Sequence, residues 1–333
     1  MTASGSPALT VALPTCNGGR HLAETLRSIL AQQGAAFDLV VSDDRSDDDT
    51  LDVVRAEAGD RARVVANAER LGLAGNWNRC VALSQTPLVA IFHQDDVMRP
   101  GHLAAHLAAF AQPDVGLVCG SADVIDAEGR PVPDSIVGRG DLGPADRYFP
   151  PGTFVRELAV GNPLRCSGVT IKVEAHAKVG GFDGSYRYAV DWDFWIQAAR
   201  FWGVVWLARP TVAIRWHLAS ETHRFQTGTT DLDEQVRLLH WLHLVEGHRL
   251  SDAPALRKAA DHRLAHAFLN RAHVLVRAGD GPQARSCLSQ AVGFWPGIIG
   301  RVLRDPRLTV QMAALTVAPK AAGHWLKRSD VGA

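Results

Sequence analysis

The sequence of 333 residues has no excess of charge of either sign, because its 35 lysines and arginines are balanced by 35 aspartates and glutamates. Proteins that bind nucleic acid normally carry a basic patch, and the chain has no cluster of lysines and arginines of that kind. We therefore expect no nucleic-acid partner.

Cysteine is also scarce, and no C-x-x-C pair occurs among Cys16, Cys80, Cys119, Cys166 and Cys287. An odd number of widely spaced cysteines predicts neither a disulfide framework nor a cysteine zinc site. The pattern is typical of reduced cysteines that pack as small hydrophobic residues in a cytoplasmic protein.

Long apolar runs are missing as well. A transmembrane helix needs about 18 or more apolar residues in succession, and the nearest approach, residues 308–319, is shorter and contains Gln311. Residues 1–8 lack the features of a signal peptide. We expect a cytoplasmic protein, and the basic residues near the C-terminus leave open a peripheral contact with the inner face of the cell membrane.

The first half of the sequence alternates short apolar runs with amphipathic segments. The apolar runs predict strands at residues 9–14, 38–42, 63–66 and 88–92. Strands that alternate with helices predict an α/β fold with a mostly parallel sheet and helices on both faces. Polar clusters follow three of these strands, and ligands bind where the strands of such sheets end. We therefore expect the binding cleft there.

The pattern changes after residue 114. Shorter strands are predicted at residues 115–119, 168–172, 204–208 and 211–216. From about residue 230 onward, Leu, Ala and Val recur at helical spacing, which predicts a helical extension. We expect an α/β domain over residues 1–225 and a C-terminal helical region over residues 226–333.

Asp95 and Asp96 directly follow the apolar run that ends at Phe92. A nucleoside diphosphate leaving group carries two or more negative charges, and Mg²⁺ or Mn²⁺ held by one or two carboxylates offsets them. The acidic pair fits such a metal site. The alternative is that Asp96 caps the next turn or helix while Asp95 is a solvated loop acid.

Asp43 and Asp44 follow the second predicted strand. A carboxylate at this position can accept a hydrogen bond from a base N–H or a ribose hydroxyl and so specify a nucleotide. The alternative is an acidic cluster that favours the dipole of the following helix. The spacing does not decide between the two.

Asp191 lies in the aromatic segment Y-A-V-D-W-D-F-W. Sugar transfer to a hydroxyl needs a base that removes its proton, and a carboxylate beside aromatic walls can do this. Alternatively, Asp191 caps the helix that follows, with Trp192 and Trp195 facing the core.

Histidines supply the remaining candidates. His217 follows the predicted strand at residues 211–216 and could bind a metal or a phosphate, although a single histidine is more often structural. His102 and His106 lie four residues apart, but no Glu follows the first of them as in a zinc-binding helix. They are opposite the apolar stripe that includes Leu103, so we expect them on a solvated helix face.

Six segments in this order resemble family 2 glycosyltransferases, which have the GT-A fold. They are VALPTCNGGRHL, VVSDDRSDDDT, NAERLGLAGNWNRC, IFHQDDV, VGGFD with YAVDWDFW, and IRWHLAS. They cover about two thirds of the chain, and the helical tail lies outside the resemblance. The resemblance implies a metal-dependent, inverting enzyme whose donor is a nucleotide-diphosphate sugar.

The resemblance also implies roles for single residues. Asp95 matches the metal-binding acid of the D-x-D motif, His217 matches a histidine that completes the metal or diphosphate site, and Asp191 matches the catalytic base. With the strand-end acids included, the candidate donor-binding residues are Pro14, Thr15, Asp43, Asp44, Arg70, Asn78 and Asp96.

Two positions depart from the family pattern. His93 stands where the first acid of the D-x-D-D run is usual, which leaves the metal preference open. Val190 stands where a Glu precedes the catalytic Asp, which removes a contact to the acceptor but leaves the proposed base.

The expected partners are the nucleotide-sugar donor and a glycan or lipid-linked acceptor, in the synthesis of a bacterial polysaccharide or surface glycan. A sugar nucleotidyltransferase is one alternative, but it would need a basic Gly-rich loop, and residues 17–20 contain one arginine. A degenerate domain that only binds a partner is the other. Serine hydrolase, P-loop and dinucleotide motifs are absent.

Overall fold

The computed structural model describes residues 7–132, 142–217, 220–225 and 228–304. The chain divides into two compact units. The first comprises Met1–Leu158 and Asn162–His217, and the second comprises Ala159–Gly161 and Leu218–Ala333. The predicted boundary at residues 225–226 stays a prediction, because compactness alone does not show which part folds independently.

The first unit is a layered α/β structure. Its strands are β1 (Leu9–Thr15), β2 (Phe37–Asp43), β3 (Arg63–Ala66), β4 (Leu88–Ile91), β5 (Val97–Met98), β6 (Val115–Ile125), β7 (Arg147–Phe149), β8 (Val169–Lys172) and β9 (Gly203–Arg215). Its helices are α1 (Gly19–Leu30), α2 (Thr50–Ala58), α3 (Gly72–Leu83), α4 (His102–Ala109), α5 (Val155–Leu158), α6 (Val173–Val179) and α7 (Val190–Ala199).

One sheet runs through this unit in the order β3-β2-β1-β4-β8-β6-β9-β5, with β7 paired to β9. Strands β3, β2, β1 and β4 are parallel, whereas β8 is antiparallel to both β4 and β6. The predicted α/β class and its parallel first half are confirmed. The carboxyl ends of β1, β2 and β4 therefore lie at one edge of the sheet.

The central strands form because their residues are buried on both faces. In β1, residues Leu9 to Leu13 are all buried, as expected for a strand covered by helices on both sides. Helix α1 packs through Leu22, Leu26 and Ile29, which recur at helical spacing on one face. This packing fixes the loop between β1 and α1 at the sheet edge.

Strand β9 corrects a prediction. Residues 204–208 and 211–216 were expected as two strands, but the structure has one strand from Gly203 to Arg215. Its pairing with β6 is irregular between Gly120 and Ala122, opposite the stretch that contains Pro210. Proline has no N–H for the ladder, so it is tolerated where the ladder is interrupted.

The second unit is helical where it is described. Its helices are α8 (Glu221–Arg224), α9 (Thr230–Val245), α10 (Ala253–Ala278), α11 (Gly281–Phe294) and α12 (Ile298–Arg304). A buried ion pair joins Arg271 on α10 to Asp231 on α9, with Nη2 2.7 Å from Oδ2. No helix among the described residues is long and apolar enough to cross a membrane, and residues 308–319 lie outside the described part.

The placement of His102 and His106 on a solvated face was wrong. Both side chains are fully buried, with His102 Nδ1 2.9 Å from Thr211 Oγ1 and His106 Nδ1 2.8 Å from Thr170 Oγ1. Burial lowers the pKa of His102 to about 3. Burial and the neighbouring His102 lower the pKa of His106 as well. Both imidazoles are therefore neutral at physiological pH.

These histidines predict a specific pH dependence of stability. The unfolded chain takes up a proton on His102 near pH 6.5, whereas the folded chain does not until about pH 3, so the stabilisation is present above 6.5 and is lost as the pH falls. We expect His102→Asn to be less stable than the wild type at pH 7.5. This gap in unfolding free energy should shrink by about 1.4 kcal/mol per pH unit below 6.5.

Urea denaturation between pH 7.5 and 4.5 measures this gap. His248→Asn is the matched control, because His248 is exposed and its gap should stay constant with pH. A constant gap for His102→Asn would contradict the assignment of a neutral buried imidazole.

Candidate active site

The first group of predicted site residues lies at the carboxyl ends of β1 and β2. Thr15 pairs with Asp43 in the strand register, beside Pro14 paired with Ser42. The Thr15 hydroxyl donates to Asp43 Oδ1 (2.9 Å), and the N–H and hydroxyl of Ser46 donate to its two oxygens at 2.9 and 2.6 Å. The buried Asp43 carboxylate is thus held rigidly at the strand end.

Asp44 takes part in a different contact. Its carboxylate accepts the backbone N–H groups of Leu71 (2.7 Å) and Gly72 (2.9 Å) at the start of α3, and the Asn67 side chain at 3.1 Å. Both oxygens are used in holding this helix start. The sequence had suggested a nucleotide contact or an interaction with the next helix, and the structure shows a cap on α3.

Arg70 lies just before that cap on the surface. Its Nη2 is 3.5 Å from the Arg45 carbonyl and 3.7 Å from Asp47 Oδ2, and about half of its side chain is exposed. The guanidinium therefore lies over the loop that follows β2.

Gln94, the middle residue of the D-x-D-like run, links β4 to the loop after β1. Its amide accepts the Cys16 N–H at 2.9 Å and donates to the Cys16 carbonyl at 3.1 Å. A Cβ on Gly18 would lie 2.1 Å from Gln94 Oε1, so only glycine leaves room for this contact. Gln94 is therefore held next to the end of β1, which pairs with the end of β2 that carries Asp43. Asp95 is the residue that follows Gln94.

Asp95 and Asp96 have opposite environments. Asp95 is about one quarter exposed, and its Oδ2 lies 2.9 Å from His217 Nε2. Burial acts to raise its pKa, but the His217 hydrogen bond and the charges of His93 and His217 outweigh this and lower the pKa. Asp96 is buried, and its oxygens accept the Ser167 hydroxyl (2.6 Å) and the Arg215 N–H (2.8 Å).

Burial and the charge of Asp95 raise the pKa of Asp96 to about 8. Asp95 is therefore the ionised, accessible acid and Asp96 the internal one. The donor atoms of His93, Asp95 and Asp96 lie within 4.8 Å of one another, close enough to hold a divalent metal ion. The imidazole and carboxylate groups at hand are suitable ligands for such an ion.

Asp191 lies in the first turn of α7. Its Oδ1 accepts the Trp192 N–H at 2.6 Å, and its Oδ2 accepts the Asn162 amide at 3.1 Å. Burial raises the pKa of Asp191 to about 6, although these hydrogen bonds and the charge of Arg165 act in the opposite direction. A carboxylate of this pKa is ionised at neutral pH and can still accept a proton.

The thiol of Cys166 is influenced by two of the acids, Asp191 and Asp96. Burial, followed by the negative charges of Asp191 and Asp96, raises the pKa of its thiol. The next residue, Ser167, hydrogen-bonds Asp96. The Gln94 contact to Cys16 places Asp43 and Asp95 at the neighbouring ends of β1, β2 and β4, and Asp191 acts on the same thiol as Asp96.

The side-chain amide of Asn78 is hydrogen-bonded to Phe182 and His176 and not to the acids described above. The amide donates to the Phe182 carbonyl (2.9 Å) and accepts from the Phe182 N–H (2.8 Å), and His176 Nε2 lies 2.8 Å from Asn78 Oδ1. Asn78 thus joins α3 to the segment after α6. Its predicted donor contact would need a different arrangement of this amide.

Residues 10–159 match the family model described as glycosyl transferase family 2. The chain carries a domain of glycosyltransferase family 2. The uncharacterized protein MT1568 of Mycobacterium tuberculosis is 28% identical over 251 residues, which cover 71% of this chain and 76% of that protein. The succinoglycan biosynthesis protein ExoU of Rhizobium meliloti is 34% identical over 110 residues.

The match to ExoU spans 32% of each of the two proteins. The mannosyltransferase PcManGT from Pyrobaculum calidifontis, solved in complex with GDP-Man and Mn²⁺, has a TM-score of 0.55 at 19% sequence identity. The superposition covers 98% of this chain and 88% of that one. The expected GT-A fold and glycosyltransferase class are therefore confirmed.

Arg215 of this glycosyltransferase was not predicted as a site residue from the sequence, and its side chain is 1% exposed. Its Nε donates to the Asp95 carbonyl (2.9 Å), its Nη1 to the carbonyls of Asp126 (3.1 Å) and Ala127 (3.2 Å), and its Nη2 to Glu24 (2.6 Å). The backbone N–H of Arg215 also donates to the Asp96 carboxylate. Arg215 thus holds the Asp95 backbone and the Asp96 side chain in place. Its position just before Trp216 and His217 gave no local signal of this.

Proposed function

We propose that this glycosyltransferase moves a sugar from a nucleotide-diphosphate donor to an acceptor hydroxyl in a single, inverting displacement. The observation that carries the proposal is that Asp95, a partly exposed acid of lowered pKa, follows β4, while Asp191, a partly buried acid whose pKa is raised to about 6, acts with Asp96 on the thiol of Cys166. Two carboxyl groups with such different environments can take different roles in one reaction.

The nucleotide end of the donor is assigned to the loop that follows β1 and β2. Asp43 is fixed by Thr15 and Ser46, and its Oδ2, which accepts the Ser46 N–H, can accept a further hydrogen bond, here from the base. Pro14 lies beside it on β1, and Arg70 can reach the phosphates from the surface. Asp44 contributes by holding the start of α3 in place.

The diphosphate is assigned to residues 93–96, which follow β4 and are called the His93–Asp96 corner here. Asp95, with His217 beside it, would hold a divalent ion, Mg²⁺ or Mn²⁺, which when bound supplies positive charge to the leaving diphosphate. Arg215 and Ser167 keep the backbone and carboxyl of this corner in place. Asp96 lies nearest the interior and would border the donor sugar.

Asp191 is the proposed base. The acceptor hydroxyl attacks the anomeric carbon, its proton passes to an Asp191 oxygen, and the bond to the leaving diphosphate breaks with its electron pair. The Trp192 N–H and Asn162 amide hold the carboxylate in one orientation. Orientation matters because a misplaced reacting group loses much of the rate.

The acceptor is proposed to be a glycan or a lipid-linked glycan of a bacterial polysaccharide. ExoU, one relative, is named for succinoglycan biosynthesis, and PcManGT was solved with a nucleotide sugar and Mn²⁺. Peripheral membrane contact would bring the site to a lipid-linked acceptor.

A thermal-shift and turnover screen tests this function. We expect one class among UDP-, GDP- and dTDP-sugars to raise the melting temperature with Mn²⁺ present, because a ligand at about 100 times its Kd stabilises the native state by about 2.7 kcal/mol. The same donor should be hydrolysed or transferred, and EDTA should abolish both effects. Absence of stabilisation and turnover with every donor would refute the proposal. Pyrophosphate released from a nucleoside triphosphate and a sugar phosphate would favour a nucleotidyltransferase.

A further inference from the structure

The side chain of His93 is held in one orientation at the His93–Asp96 corner. Its ring stacks on Trp77, with ring centroids 5.4 Å apart and an interplanar angle of 28°. Trp77 is itself buried and packs edge-on against Phe182 at 5.2 Å. The His93 backbone N–H donates to Ser167 Oγ at 3.0 Å. Both the ring plane and the backbone are thus fixed by neighbours.

The imidazole of His93 is one of three groups whose ligating atoms lie within 4.8 Å of one another, the others being Asp95 and Asp96. Of these, Asp96 uses its two oxygens on the Ser167 hydroxyl and the Arg215 N–H. The groups best placed to bind an ion here are therefore the His93 imidazole and the Asp95 carboxylate, with His217 2.9 Å from Asp95.

A ligand set of this kind discriminates between metals. Mg²⁺ prefers oxygen ligands and keeps several waters, whereas imidazole nitrogen is better suited to transition-metal ions. With an acid at position 93 the corner would offer oxygen ligands and one more negative charge. Histidine replaces both with a neutral nitrogen donor, which weakens the attraction for Mg²⁺ more than that for Mn²⁺.

We propose that His93 contributes an imidazole nitrogen to the metal site and makes the site select Mn²⁺ over Mg²⁺. This selectivity rests on the proposed function for the presence of a metal site at this corner. His93 thereby determines metal choice, and Trp77 keeps its ring in position.

Direct metal binding by the full chain tests the proposal. The free Mn²⁺ signal in electron paramagnetic resonance gives the Mn²⁺ affinity, and displacement by Mg²⁺ gives the Mg²⁺ affinity, with the metal alone and again with UDP. We expect the wild type to bind Mn²⁺ more tightly than Mg²⁺. His93→Asp should lower this preference by about tenfold, since it exchanges a nitrogen donor for an oxygen donor.

Two further variants separate ligand chemistry from damage to the fold. His93→Gln removes the imidazole without adding charge, so it should lose Mn²⁺ affinity and gain none for Mg²⁺. His248→Asp, at an exposed histidine, is the matched control and should keep the wild-type preference. Circular dichroism of each variant checks that it is folded.

An unchanged preference in both His93 variants would overturn the proposal, as would the lack of Mn²⁺ binding by the wild type with or without UDP. These results differ from a failure of the proposed function. If the wild type binds metal with the expected preference but transfers no sugar, the function is wrong and the role of His93 stands. If the wild type transfers sugar but both His93 variants keep its metal preference, the proposed function stands and the role of His93 is wrong.

Discussion

Asp191→Asn is expected to lower the rate of sugar transfer about a thousandfold while leaving donor affinity within a few-fold of the wild type. General-base catalysis contributes about 10²- to 10⁴-fold, and asparagine keeps the shape of aspartate but cannot take the proton. Single-turnover kinetics with saturating donor measure the rate, and the thermal shift with donor measures binding. Wild-type turnover by this variant would remove Asp191 from the role of base.

The same substitution should change stability with pH in a defined direction. Burial raises the pKa of Asp191 from 3.8 to about 6, so ionisation costs the folded state stability as the pH rises between these values. Above pH 6 this cost is about 2 to 3 kcal/mol, at roughly 1.4 kcal/mol per pKa unit. Asparagine does not ionise and avoids this cost. The free energy of unfolding of Asp191→Asn, minus that of the wild type, should therefore rise by about 2 to 3 kcal/mol between pH 4 and pH 7.5.

A matched control exists in the first turn of another helix. Asp52 lies at the start of α2, and its side chain is 77% exposed. Asp52→Asn should alter neither the transfer rate nor the pH dependence of stability. In the wild type, the transfer rate should fall as the pH drops through about 6, because Asp191 is then protonated. A rate that stays constant from pH 5 to 8 would contradict this assignment.

Arg215→Met is expected to lower the free energy of unfolding by about 3 kcal/mol, because the loss of a donor to a buried acceptor costs about 1 to 3 kcal/mol and Arg215 donates to several backbone carbonyls. The variant removes the Arg215 donors from the partly buried carbonyls of Asp95, Asp126 and Ala127, of which Asp126 keeps the Gly129 N–H. Because the Asp95 backbone loses its support, Mn²⁺ affinity and transfer should both drop at least tenfold. Arg215→Lys keeps the charge but not the several donors, so it should be intermediate.

Urea denaturation and the metal titration measure these effects. Arg130→Met is the matched control, since Arg130 also contacts Asp126, through its carboxylate, but the Arg130 side chain is 72% exposed. An exposed pair of this kind contributes little, so the control should stay within about 0.5 kcal/mol of the wild type. A similarly small change for Arg215→Met would show that the acidic corner does not depend on it.

The parallel half of the sheet could be predicted because local pattern determines it. Strands such as β1 are short apolar runs buried on both faces, and the polar residues after them mark the ligand edge. The class of enzyme also followed from short motifs in their order along the chain. In these cases the signal lies within a few consecutive residues.

Contacts over long sequence distances could not be predicted in this way. His102 and His106 look like polar positions of an amphipathic helix, and their hydroxyl partners Thr211 and Thr170 lie far along the chain. The caps made by Asp44 and the contacts of Asn78 depend likewise on where other elements pack. Arg215 resembles any surface arginine until the carbonyl groups around it are known.

The internal acid Asp96 has one more effect on ligand encounter. Since its pKa is raised to about 8, it carries little negative charge at neutral pH, and an imidazole at position 93 adds no negative charge. A diphosphate diffusing towards this corner thus meets one formal anion instead of the three that an all-acid run would present. The repulsion that this corner itself exerts on the diphosphate is correspondingly weaker.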